Sequence, residues 1–202
     1  MDRTSYDFSM HDGYAEGVLP DGTHFLIDEE DIDLVNEYRF HLNWKGYVIS
    51  SPNENKKCVY LHWIVLGLKE KPAFQVDHIN RNKTDCRKKN LRPVTNQQNA
   101  MNRGLMKTNK SGYVGAFYYP PRGYYVSKIC INNRRISLHH SEDLIECAQA
   151  YNIARAFLFG EFGGHKNDVP EPSSELVASV REKCRPYLVA AQIATEPIVF
   201  EN

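Results

Sequence analysis

Short apolar runs alternate with polar positions along most of this chain, and a long stripe at helical spacing is found near residues 144–158. Residues 1–13 are polar and read as a flexible lead. From Tyr14 to Ile27 two apolar runs flank Asp21-Gly22, a hairpin turn signal. Asp28-Glu29-Glu30-Asp31 opens a short helix ending near Glu37, with its acids where the helix dipole favours them. Phe40 to Ser50 alternates around Lys45-Gly46, and Lys57 to Leu61 reads as another strand. Leu61 to Gly67 is a short apolar helix or strand. A further strand ends at Val76-Asp77-His78, Leu91 to Val94 is its short successor, and Thr95 starts a helix. Thr95 with Gln98 three residues on fits the capping box, which places Asn99 one turn inside that helix.

After Arg103 the pattern changes. Residues 107–112, Lys-Thr-Asn-Lys-Ser-Gly, are polar and basic and read as a linker. Tyr113 to Tyr119, Tyr124 to Ile131 and Arg134 to His140 read as three strands, joined by Pro120-Pro121-Arg122-Gly123 and by a type I′ turn at Asn132-Asn133. That turn sets Ile129 opposite Ile136 and Ser127 opposite Leu138 on a core face that Tyr125 joins. Tyr124, Val126, Lys128, Cys130, Arg135, Ser137 and His139 then share the outer face. A helix follows from Ser141, with Leu144, Cys147, Ala148, Tyr151, Ala154 and Leu158 as its apolar stripe and Gly160 as its stop. Asn167 to Pro172 marks a boundary; Ser173 or Ser174 caps a helix to about Cys184, which Pro186 interrupts or ends.

Charge changes this picture more than composition does. The formal net charge is zero, yet residues 1–40 carry −9 and residues 77–135 carry +11. Clustered cations neutralise phosphates and release counterions, so the central half is suited to nucleic acid. The acidic front is either a solvated face or a device that keeps its own module off the nucleic acid. Five scattered cysteines with no Cys-x-x-Cys pair argue against a disulfide framework and against zinc knuckles, and no structural zinc is expected. No stretch reaches the apolar length of a membrane span, and the N-terminus lacks the features of a signal peptide, so a cytoplasmic setting is expected.

The chemistry concentrates between Asp77 and Asn99. Asp77 and His78 are adjacent, and on a strand their side chains point to opposite faces; Asn90 and Asn99 follow. Oxygen donors such as Asp77 and Asn99 suit a hard divalent cation, and a neighbouring imidazole suits proton transfer from water. Asn90 suits a bracing role, since asparagine side chains pin tight loops. The words Val-Asp-His-Ile-Asn-Arg-Asn-Lys, Asn-Leu-Arg-Pro-Val-Thr and Gln-Gln-Asn-Ala-Met-Asn-Arg, in this order and spacing, resemble the HNH endonucleases. The likeness is to the phage and intron-associated homing enzymes whose last His is an Asn. It implies a ββα-metal fold with Asp77 and Asn99 on Mg²⁺ (or Mn²⁺), His78 as base and Asn90 completing the catalytic set. Trp63 departs from the Leu-His-Arg-x-Ile run usual there; His62 beside it either lies near the active site or is a packing histidine, and packing is the expectation.

Residues 111–117, Arg122 to Tyr125 and 148–154 resemble a second family, the AP2/ERF DNA-binding domain, a three-stranded sheet packed on one helix. By that likeness Phe117, Tyr119, Arg122, Tyr124, Lys128 and Arg135 face DNA. Val114, Phe117, Tyr119 and Cys130 stand where arginines are usual, so fewer base-reading forks are expected. The competing reading is a small domain used for protein contact.

The expected fold class is α+β. An α+β buttress and an HNH unit span 14–106, a linker 107–112, the AP2-like domain 113–165 and a partly helical tail 166–202. The expected function is metal-dependent cleavage of double-stranded DNA by a monomer, at a site that the AP2-like domain locates. A non-cleaving DNA-binding regulator on the same surfaces is the alternative, and RNA binding is the weaker third.

Overall fold

The computed structural model describes residues 6–51, 57–68 and 72–194, a mixed α+β chain built on small antiparallel sheets. Contacts divide it into two compact units, Met1–Val94 and Thr95–Asn202. That division falls ahead of the expected linker at 107–112, which lies inside the second unit.

The first unit begins with a sheet of β1 (Phe8–His11), β2 (Tyr14–Val18) and β3 (His24–Asp28). The expected flexible lead is thus partly a strand. Phe8 pairs with Gly17, and Phe8 and Tyr6 set their rings against Phe25 at 6.1 and 5.6 Å. Apolar Phe8 and Tyr6 are what hold this segment; a side chain at Gly17 would meet the Phe25 ring at 2.4 Å. After a 3₁₀ turn at Glu29–Asp31 come α1 (Ile32–Val35) and the hairpin of β4 (Phe40–Leu42) and β5 (Val48–Ser50). Lys57 to Leu61 is not a strand: it makes a single bridge, Ile49 to Tyr60. The Leu61 run resolves to one helical turn, α2 (Leu61–Ile64). The strands β6 (Gln75–His78) and β7 (Leu91–Val94) close the unit, with Asp77 opposite Arg92 and His78 opposite Leu91. Phe25, Ile27, Val35, Val48 and Leu61 are buried at the centre of its core.

The second unit starts with α3 (Asn96–Met101), which carries both bonds of the capping box: Thr95 Oγ1 accepts from Gln98 N–H and Gln98 Oε1 from Thr95 N–H. Gln97 donates to Asn132 at the hairpin turn, and Gly164 N–H to Met101, so α3 is held by residues far along the chain. The 107–112 stretch is itself hydrogen-bonded, with Ser111 Oγ donating to Ala116 at 2.6 Å and Asn109 Oδ1 accepting from Gly112 N–H.

The sheet of β8 (Ala116–Tyr119), β9 (Tyr124–Ile131) and β10 (Arg134–Ser141) packs on α4 (Leu144–Phe159). The β8 strand begins at Ala116, not Tyr113. At Gly115 the chain has φ +75°, and a Cβ there would lie 1.9 Å from the Tyr151 ring, so helix and loop touch too closely for any other residue. Asn132 and Asn133 both have positive φ, as a type I′ turn requires.

The expected register holds from that turn to Ser137 opposite Lys128, then shifts. Leu138 is an extra residue, and His139, not Leu138, stands opposite Ser127. The cause is burial: Leu138 is fully enclosed, and Lys183 Nζ satisfies its carbonyl at 2.8 Å. His139 is therefore off the outer face, bonded to Glu146, and His140 takes its place beside Tyr124. Val126 is also buried, although the pleat puts it on that face.

The tail does not end the unit at 165. Asn167, buried, accepts from Val114 N–H and donates to Val114 and Ala148 carbonyls, tying the loop before β8 to α4. Ser173 caps α5 (Ser174–Cys184), which lies on α4; a 3₁₀ turn at Arg185–Tyr187 with Pro186 leads to α6 (Leu188–Ala194). No helix among the described residues is long and apolar enough to cross a membrane.

Candidate active site

The loop between β6 and β7 is built on two asparagines and one aspartate. Asn90 Oδ1 accepts from Asn80 N–H at 3.0 Å, its Nδ2 donates to the Asp85 carbonyl at 2.7 Å, and its own carbonyl accepts from Ile79 N–H. One amide thus spans both arms of the loop. Arg81 has φ +64°, which lets the chain turn directly after His78. Asp85 is buried and takes a forked pair from Arg87 at 2.7 and 2.6 Å, plus a bond from Asn80. Burial pushes its carboxyl up, but the Arg87 guanidinium and the surrounding donors outweigh this and hold it below the ordinary range.

The loop also adds to the first sheet. Leu26 N–H bonds Thr84 and Cys86 N–H bonds Leu26, a parallel bridge that fixes Asp85 and Cys86 against β3. The acidic front completes the anchor: Asp28 accepts from Lys88 N–H, while Glu30 and Asp31 accept from Lys88 Nζ. Part of the −9 front is therefore the counter-charge of the basic loop, not a solvated face.

Asp77 and His78 have separate surroundings, as alternation on a strand requires. The Asp77 carboxylate accepts from Arg92 Nε and Nη2 at 3.0 and 2.9 Å through Oδ2, and both side chains are largely buried. His78 lies 5.0 Å, ring to ring, from His62 and 5.9 Å from Tyr47; its Nε2 is 3.9 Å from Cys86 Sγ. Burial is the main reason that the His62 imidazole is pushed down to about 3 and that of His78 to about 4. Both are neutral at pH 7. Burial pushes the Cys86 thiol far up, so without a metal it is protonated.

Of the oxygen donors named from the sequence, Asp77 lies in the first unit and Asn99, on α3, in the second. Within the first unit lies a donor set that was not foreseen: His62, His78 and Cys86 offer ligand atoms within 4.8 Å of one another, all buried. Their separations along the chain carry no metal signature, since α2, β6 and the loop edge of β3 meet only in the fold. His62 is buried, as a packing histidine is, and it also lies beside His78 and Cys86.

In the second unit, Phe117, Tyr119, Tyr124, Lys128 and Arg135 lie on one face of the sheet. Tyr119 pairs with Tyr124, Phe117 stands opposite Val126, and Lys128 Nζ lies 5.7 and 6.0 Å from the Phe117 and Tyr119 rings. Arg135 is on the next strand opposite Cys130, and Arg122 is in the turn after β8; both are exposed.

Residues 63–101, which include Asp77, His78, Asn90 and Asn99, match the family model described as HNH endonuclease. The chain therefore carries an HNH endonuclease domain, and the protein is an enzyme of the nuclease class. Among curated proteins, an uncharacterized HNH endonuclease of Acanthamoeba polyphaga mimivirus is 28% identical over 151 residues, covering 70% of this chain and 73% of its own. No solved structure matches the chain.

Proposed function

We propose that this protein is a metal-dependent endonuclease of homing type that hydrolyses phosphodiester bonds of duplex DNA, at a site located by residues 113–165. The observation that carries the reading is the Asp77-His78 pair at the end of β6, inside the matched HNH segment, with its carboxylate and imidazole in different environments. Asp77 and Asn99 are the proposed ligands, and as hard oxygen donors they fit Mg²⁺ or Mn²⁺ better than a soft metal. A cation held there would polarise the phosphodiester and stabilise the departing oxygen. His78, neutral at pH 7, is in the form that accepts a proton from the attacking water. Asn90 holds the loop that orients them, through its bonds to Asn80 and Asp85.

Residues 113–165 act as an AP2-like reader, with Phe117, Tyr119, Tyr124, Lys128 and Arg135 on the face laid against DNA and Arg122 at its edge. The major groove is wide enough for strands, and the +11 charge of residues 77–135 favours phosphates. One observation favours the alternative, a DNA-binding regulator that does not cut: Arg92 already neutralises Asp77. Supercoiled plasmid with purified protein and Mg²⁺ or Mn²⁺, with and without EDTA, separates the two. Open-circular or linear product that EDTA abolishes is expected, and His78→Ala should lower its rate about 100-fold or more while leaving DNA binding unchanged. Intact plasmid at every metal concentration refutes the enzyme reading in its metal-dependent form.

A further inference from the structure

We propose that His62, His78 and Cys86 form a binding site for a soft divalent transition metal, Zn²⁺ in the first place, distinct from the oxygen site assigned to Asp77 and Asn99. Three independent parts of the fold converge there: α2 brings His62, the end of β6 brings His78, and the loop edge of β3 brings Cys86. Their ligand atoms lie within 4.8 Å of one another, and Cys86 Sγ is 3.9 Å from His78 Nε2. Bond lengths of about 2.0–2.1 Å to nitrogen and about 2.3 Å to sulfur put tetrahedral ligands roughly 3.5 Å apart, so a contraction of about 1 Å closes the site. His62 is 5% exposed, and its Nδ1 is buried with no hydrogen-bond partner among the described residues. An orphaned imidazole nitrogen in a dry cluster carries a desolvation penalty that coordination removes. Tyr47 and Tyr60 set their rings 5.7 and 5.1 Å from His62.

The donor set selects the metal. Two imidazoles and a thiolate suit Zn²⁺, Co²⁺ or Cu²⁺ and not Mg²⁺ or Ca²⁺. Binding displaces the Cys86 thiol proton to solvent and leaves thiolate and metal with a single net positive charge. The buried Asp85 carboxylate, next in the chain, lies close enough to act on both Cys86 and His78 and offsets part of that charge. The fourth position is open to water or to a further ligand, as in zinc sites with three protein donors.

The site has a consequence that rests on the reading of His78 as base. An imidazole whose lone pair is given to Zn²⁺ cannot take a proton, so occupancy removes the base and silences cleavage even with Mg²⁺ in excess. The cluster is in that case an inhibitory metal sensor built around the catalytic histidine.

The test uses the full chain, stripped with EDTA, dialysed and titrated with Co²⁺ alone. A thiolate-to-cobalt charge-transfer band that saturates near one equivalent and is displaced by Zn²⁺ is expected. Cys86→Ser should abolish the band, and Cys184→Ser, a buried cysteine of the other unit, should keep it. X-ray absorption of the unmodified protein with one equivalent of Zn²⁺ covers the case in which Cys86→Ser does not fold: one sulfur and two imidazole ligands are expected. No charge-transfer band, no sulfur ligand, or a band that depends on another cysteine overturns the site. Separately, one equivalent of Zn²⁺ under excess Mg²⁺ should cut the cleavage rate by about 100-fold, the scale of a lost base. A bound metal with undiminished cleavage leaves the site standing and overturns His78 as base.

Discussion

Lowering the pH from 7 to 5 should destabilise the first unit far more than ordinary surface titration allows. His62 and His78 are neutral in the folded protein, with values near 3 and 4, against 6.5 in an unfolded chain. Between about pH 6.5 and pH 4 the unfolded state therefore binds protons that the folded state refuses. Stability rises with pH across this window: it is fully present above 6.5 and lost as pH falls below it. Integrating each equilibrium from pH 7 to pH 5 gives about 2 kcal/mol per imidazole, or about 4 kcal/mol in all. Against a typical total of about 5–15 kcal/mol, that decides whether the unit stays folded. Both tryptophans, Trp44 and Trp63, lie in the first unit, so urea titrations followed by tryptophan fluorescence report it selectively. The buffers should contain EDTA and hold ionic strength constant. His62→Gln should lose about 2 kcal/mol over the same interval, because one titrating group remains. The difference between parent and variant isolates the imidazole from carboxylates such as Asp31, whose burial raises it and acts in the opposite direction. Equal pH dependence in the two proteins would falsify the claim that His62 is buried neutral.

Three further outcomes are expected. Arg92→Ala removes the guanidinium paired with the buried Asp77 carboxylate, which should destabilise by about 3–5 kcal/mol; if Asp77 is a ligand, Mg²⁺ should restore more stability to the variant than to the parent, and thermal shifts identical in both would sink that assignment. Asp85→Asn removes the forked pair with Arg87 and should cost about 3–5 kcal/mol at pH 7. Because the Asp85 value is depressed, the contribution is present above about pH 4, the unfolded value, and is lost as pH falls through the folded one; a loss at pH 7 too small to measure by urea unfolding would refute it. On the sheet, Lys128→Ala should lower the salt slope of DNA binding by about one unit, whereas Arg122→Ala or Arg135→Ala should alter site preference by about 1–3 kcal/mol. Binding to cognate and scrambled duplexes that matches the parent at every salt concentration, for all three variants, would remove this face from DNA.

Local chemistry wrote much of this structure into the sequence. Thr95 and Gln98 close their capping box through side chains three residues apart, and Asn132-Asn133 adopts positive φ because a two-residue hairpin demands it. The opposite pointing of Asp77 and His78 follows from the period of a strand, and the HNH segment from the order of its own residues. Contacts between residues distant in the chain decided the rest. The slip at Leu138 came from a core site that took the leucine whole and a lysine 45 residues away that capped its carbonyl; no alternation rule contains either. Asn167 sits in a stretch that reads as a boundary, yet it bonds both Val114 and Ala148, because a buried amide satisfies whatever backbone the fold brings to it. Likewise the acids of the front meet Lys88, 57–60 residues away, which turns an apparent solvated run into an anchor. The cluster of His62, His78 and Cys86 is the plainest case: three side chains that are individually unremarkable in the sequence become one donor set only where α2, β6 and the edge of β3 meet.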